Sequence, residues 1–195
     1  MNKLREPPKL TYTRQFLERS NPQLIYRFQS RIGSVLRYYP EVKGEIKIGL
    51  TTTYRGLAST ESDGVHMQKK LCFPPLTRSG LPTRFIIGHE LMHIVQAKKS
   101  RSMPGTERSC DIYTLARLPP RFIDHLPVYL KTPWKVRLHW SNERVRNMAS
   151  DIMHDLAIEA VIFRKENPRY ISWWENQFNE VVNNGHPISR YIDRL

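Results

Sequence analysis

One stretch constrains this chain more than any other: Phe85-Ile86-Ile87-Gly88-His89-Glu90-Leu91-Met92-His93-Ile94-Val95-Gln96-Ala97. Apolar Ile86, Ile87, Leu91, Ile94 and Val95 flank His89, Glu90 and His93, so the helix they predict is a buried one. Thr83 can cap it, and it is expected to run to about Lys98. His89 and His93 are four residues apart and share a face, one turn from each other. Two imidazoles in that relation can take one zinc ion from the same side. Glu90, next to His89, can reach a metal-associated water without being a ligand. Gly88 keeps the helix surface small ahead of the first ligand.

A catalytic zinc needs a third protein donor and one open position. After thirteen further residues comes Glu107-Arg108-Ser109-Cys110-Asp111, in a helix predicted over 106–117 behind the break Pro104-Gly105-Thr106. Glu107 and Asp111 are again four apart. Glu107 is the expected third ligand. Asp111, one turn deeper, is expected to accept the free ring N–H of a ligand histidine and fix its tautomer. Two other readings stay open. Glu107 also suits the positive end of the helix dipole. Cys110 shares the face, and as a thiolate it would make the set His89, His93 and Cys110.

His89-Glu90-Leu91-Met92-His93 followed by Glu107-x-x-x-Asp111 resembles the gluzincin clan of zinc metallopeptidases. Glu107 to Tyr113, through Leu118-Pro119, is similar to the glutamate helix of the immunity-repressor-cleaving metallopeptidases of mobile elements. The modest length, and strands just before the active-site helix, resemble the minigluzincins. The likeness spans residues 45–119. It implies one Zn²⁺ per chain held by His89, His93 and Glu107, with Glu90 as catalytic base and then acid, and Asp111 behind the ligands. It also implies a zincin-like fold in which an antiparallel edge strand above the cleft binds a polypeptide substrate in extended form. Residues 65–73 are the candidate for that strand.

The motif leaves the oxyanion donor unassigned. His154 and Tyr113 are candidates, and Asp151, three residues before His154, is placed to orient it. Tyr113 also reads as a core aromatic. His66, His125, His139 and His186 have no partner at ligand spacing and read as structural or surface residues. Trp173-Trp174 reads as core.

The 195 residues carry 31 Lys and Arg against 18 Asp and Glu, a formal net charge of +13. Nucleic acid is therefore a candidate partner, and a basic nucleic-acid-associated protein with a structural or regulatory metal site is the competing function. The charge is dispersed, with one tight cluster at Lys98-Lys99-Ser100-Arg101, and no helix-turn-helix or zinc ribbon is visible. Two cysteines, Cys72 and Cys110, make no disulfide framework. No run approaches the roughly 20 apolar residues of a membrane span. The first eight residues lack the apolar run of a signal peptide, so a cytoplasmic protein is expected.

Strands precede most helices, which predicts an α+β fold: a small antiparallel or mixed sheet, the two site helices, then a mostly helical region. Residues 1–13 read as an extended arm and 22–38 as an amphipathic helix behind the cap Asn21-Pro22. Alternation predicts strands over 46–54 and 65–73, with 55–64 as a loop. Residues 118–135 read as a proline-rich connection. Two more helices are expected, one capped by Ser141 and running to about Lys165, the other over 170–183. The longer helix is given the stripe Val145, Met148, Ala149, Ile152, Leu156 and Ala160. The whole is expected to be one metallopeptidase domain, with a sheet-bearing subdomain over about 14–100 and a helical one over about 104–195. The residues after Pro133 exceed a minimal gluzincin and are a candidate cover for the cleft.

Overall fold

Four strands and eight helices form among the described residues, giving an α+β chain in which helix dominates. The computed structural model describes residues 7–53, 55–62, 67–77, 80–98 and 103–195. Tyr54, Val65, His66, Ser79 and the Lys99-Ser100-Arg101 part of the basic cluster lie outside the described residues. The chain divides into two units, Met1–Gly105 and Thr106–Leu195.

The first unit runs β1 (Lys9–Tyr12), α1 (Arg14–Arg19), α2 (Pro22–Leu36), β2 (Glu45–Leu50), β3 (Leu57–Ser62), β4 (Met67–Phe73) and α3 (Arg84–Lys98). Its mixed sheet has the order β1-β2-β4-β3. β1 and β4 lie parallel to β2, and β3 pairs antiparallel to β4 with Leu57 opposite Cys72 and Ala58 opposite Leu71. Two expectations change here. Residues 55–64 are not simply a loop, because 57–62 form a strand. The segment 67–73 is an interior strand, so the antiparallel edge beside α3 is β3. Part of the amino-terminal arm is also ordered as β1.

The caps follow the sequence. Asn21 Oδ1 accepts the Gln23 N–H at 2.9 Å, with Pro22 opening α2. Phe28, Ile32, Val35 and Leu36 face inward from that helix. Phe28 packs edge-on to Phe73, with centroids 5.3 Å apart, and against Phe16 at 6.1 Å. Lys69 sits on the inward face of β4, and its ammonium donates to the Lys43 carbonyl at 2.6 Å. Burial lowers its pKa, and the Lys98 charge adds to the effect. Arg31 on α2 donates to the Pro82 carbonyl at 2.9 Å, and Lys98 donates to the Glu41 carbonyl at 3.2 Å.

The second unit is helical: α4 (Glu107–Arg117), a 3-10 turn (Pro120–Phe122), α5 (Trp134–Leu138), α6 (Glu143–Phe163), α7 (Tyr170–Asn183) and α8 (Pro187–Ile192). α6 is its spine, packing against α4, α7 and α8. Asn142, not Ser141, caps it, with Oδ1 accepting from Arg144 and Val145. Its buried stripe is Val145, Ala149, Ser150, Met153, Ala157 and Ala160. Met148, Ile152 and Leu156 are only half-buried, so the inward face is turned by about one residue from the expected one. Trp174 is fully buried and donates to the Met153 carbonyl at 3.3 Å; Trp173 leans on Phe163 with centroids 5.9 Å apart. Asn184 and Gly185 end α7, Gly185 at φ +76°. No helix among the described residues is long and apolar enough to cross a membrane.

Candidate metal centre

α3 is buried on all sides. Its inward residues include Phe85, Ile87, Leu91, Met92, Ile94 and Val95 and also His89, Glu90 and Gln96. Thr83 Oγ1 accepts the Ile86 N–H at 3.3 Å and so starts the helix where expected. Burying an imidazole and a carboxylate in such a helix is costly unless each has a partner, and such groups cluster at functional sites.

The i, i+4 spacing has the expected result. His89 Nε2 and His93 Nε2 are 3.2 Å apart, with the rings steeply inclined at 76°. Two nitrogens at zinc–nitrogen distances of about 2.0–2.1 Å and 3.2 Å from each other subtend an angle of roughly 100–106°, close to tetrahedral. That separation suits a shared divalent cation, and in its absence it also suits an N–H···N hydrogen bond between the two rings. His89 and Glu90 are 7% and 6% exposed. Water around the pair is therefore restricted, which strengthens any electrostatic interaction there.

A close approach, unsuspected from the sequence, lies at Glu90. A methyl group at Gly56, just before β3, would stand 2.6 Å from Glu90 Oε1, 2.8 Å from Cγ and 2.9 Å from Cδ. The backbone entering β3 thus runs directly against the Glu90 side chain. Cys72, opposite Leu57 in the ladder, has its thiol pKa pushed up by burial; Lys70 offsets this and the charge of Glu90 adds to it. A lone glycine in an expected loop gave no local signal of this contact.

In the second unit, α4 opens with a capping box: Thr106 Oγ1 accepts the Ser109 N–H at 3.2 Å, and Ser109 Oγ accepts the Thr106 N–H at 3.1 Å. Glu107 is exposed in the first turn, whereas Cys110 and Asp111 are buried. One Asp111 oxygen, Oδ2, accepts the Tyr129 N–H at 2.9 Å, and a carboxylate retains further lone pairs. Cys110 thus carries a buried thiol, a donor type that suits zinc.

His154 is half-buried on α6. Its Nδ1 pairs with the Leu115 carbonyl at 2.8 Å, not with Asp151, which is exposed. Tyr113 is buried, as a core aromatic would be, and burial raises its pKa. The Arg164 guanidinium sits 5.8 Å from its ring centroid. Of the other histidines, His186 caps α8 by accepting the Ile188 N–H, and His125 pairs with the Leu126 carbonyl at 2.6 Å. No protein-family model matches the chain, and neither characterised proteins nor solved structures give a match.

Proposed function

We propose that this chain is a zinc-dependent metallopeptidase of gluzincin type. The observation that carries the reading is the 3.2 Å convergence of His89 and His93 Nε2 on a buried helix that also holds Glu90. His89 and His93 supply two ligands and Glu107 the third, with Cys110 as the rival third donor. When bound, zinc polarises a water molecule and the scissile carbonyl, supplying both nucleophile and charge stabilisation. Glu90 takes the water's proton on its carboxylate and passes it to the leaving amine. Asp111 keeps a ligand imidazole in one tautomer. His154, as an imidazolium whose Nδ1–H is donated to the Leu115 carbonyl, would offer its Nε2–H to a developing oxyanion. The outer edge of β3 beside α3, unpaired among the described residues, suits an extended peptide, which would join the sheet through its backbone.

The test is metal content with peptide hydrolysis. The purified chain should hold one zinc and cleave a quenched-fluorescent peptide library in a chelator-sensitive way, and Glu90→Ala should keep the zinc and lose the cleavage. A Glu90→Ala chain as active as its parent would end this mechanism.

A second reading, nucleic-acid association, is favoured by the charge distribution. Residues 1–105 hold 18 Lys and Arg against seven acids, while residues 106–195 hold 13 against eleven. Between Glu18 and Glu41 there are four arginines and no acid, and Arg27 and Arg37 are exposed at α2. Duplex binding that weakens steeply with salt, and less steeply in Arg27→Glu/Arg37→Glu, would support it. Absence of binding in low salt would remove it.

A further inference from the structure

We infer that Gly56 is a positioning residue for Glu90, holding the carboxylate by leaving no space for a side chain where the backbone enters β3. The inference rests on the reading of Glu90 as the proton carrier. A Cβ at position 56 would come within 3.0 Å of Oε1, Cγ and Cδ of Glu90, well inside ordinary contact. Glu90 is 6% exposed on a largely buried helix, so its side chain has little room to swing away. The described glycines with positive φ are Gly44, Gly80 and Gly185, and Gly56 is not among them. Backbone conformation therefore does not require glycine at 56. The requirement comes from the space that Glu90 fills. Gly56 thus forms one wall of the Glu90 slot, and β3, the strand proposed to receive the peptide, begins at that wall. The strand proposed for the peptide and the proton carrier thus meet at position 56.

The test is a double-mutant cycle on the metal-free protein: parent, Gly56→Ala, Glu90→Ala and the pair. Gly56→Ala should lower the unfolding midpoint of the parent by about 2–10 °C, the range for an overpacked site in a chain of this size. In the Glu90→Ala background the added methyl occupies vacated space, and its effect should shrink to about 1 °C or less. Equal losses in both backgrounds, or no loss in either, would overturn the inference. Should Gly56→Ala fail to fold alone, the double variant decides: it folds if the clash is with Glu90 and fails if it is not. Because the cycle needs no turnover, it stands apart from the hydrolytic reading. Where the zinc-loaded parent cleaves the peptide library, Gly56→Ala should also lower turnover about 100-fold with zinc stoichiometry unchanged, as expected of a misplaced acid–base group. Full turnover in Gly56→Ala would refute the positioning role.

Discussion

Arg108, in the first turn of α4, donates to Glu175 Oε1 on α7 at 2.7 Å. The same oxygen accepts the Lys131 N–H at 2.9 Å. One carboxylate thus fastens the start of α4, the proline-rich connection and α7 together. Glu175 is 7% exposed while the Arg108 side chain is 44% exposed, so losing the acid lets the guanidinium rehydrate. Glu175→Ala should cost about 1–3 kcal/mol, seen as a lower urea midpoint at unchanged slope.

Removal of the chain from Trp134 onward is a harsher version of that change. It takes away α6 and α7, against which α4 packs, and with them Glu175 and the Trp174 anchor. The truncated protein should lose the α4 fold and precipitate or unfold, with no gain in peptide hydrolysis. Circular dichroism and hydrolysis assays of the truncation check this. Enhanced hydrolysis would instead support the reading of these residues as a cover over the proposed site.

Tyr170 offers a pH prediction. Its hydroxyl is buried without a hydrogen-bond partner among the described residues, and burial is the chief cause of its pKa being raised to about 12. The folded state therefore keeps the phenol proton while the unfolded chain, with an ordinary tyrosine pKa near 10, releases it. The parent is at full strength below about pH 10 and should lose about 2–3 kcal/mol between about pH 10 and 12 through this group. Tyr170→Phe should lack that loss. At neutral pH it should also melt about 2–4 °C higher, because an unsatisfied buried hydroxyl has gone. Thermal melts of both chains from about pH 7 to about pH 12 give the difference directly.

The proposed ligand and proton-carrier roles separate by assay. His93→Ala should abolish stoichiometric zinc, whereas Glu90→Gln should retain it and lower turnover by about 10²–10⁴. Glu107→Gln and Cys110→Ala divide the two candidate third donors, since only loss of the true ligand should release zinc into a chromogenic chelator at neutral pH.

Where local chemistry determines structure, the chain was readable. α3 starts at Thr83 and ends at Lys98 because a hydroxyl cap and dense apolar residues act within a few positions. The same holds for Asn21-Pro22 ahead of α2 and Thr106 ahead of α4. β3 was not readable. Leu57-Ala58-Ser59-Thr60-Glu61-Ser62 has one large apolar side chain, and its strand conformation comes from pairing with β4. On α6, spacing identified Val145, Ala149 and Ala160 on the inward face, but Ser150, Met153 and Ala157 are buried where Met148, Ile152 and Leu156 were expected, which spacing alone does not reveal. The short helices α1 and α8 depend on caps at Thr13 and His186. In the candidate site, the histidine convergence follows from helix geometry. The Gly56 contact brings together segments 34 residues apart and leaves no local trace.

The bonds from Arg31 to Pro82 and from Lys98 to Glu41 grip α3 just ahead of its first turn and at its last. Hydrogen bonds near both ends limit how far the helix can slide or rotate, with or without a cation. If the proposed zinc binds there, removing it should leave a preshaped cradle rather than a melted segment, and reloading should proceed without refolding the first unit, unlike domains whose fold is created by the ion itself.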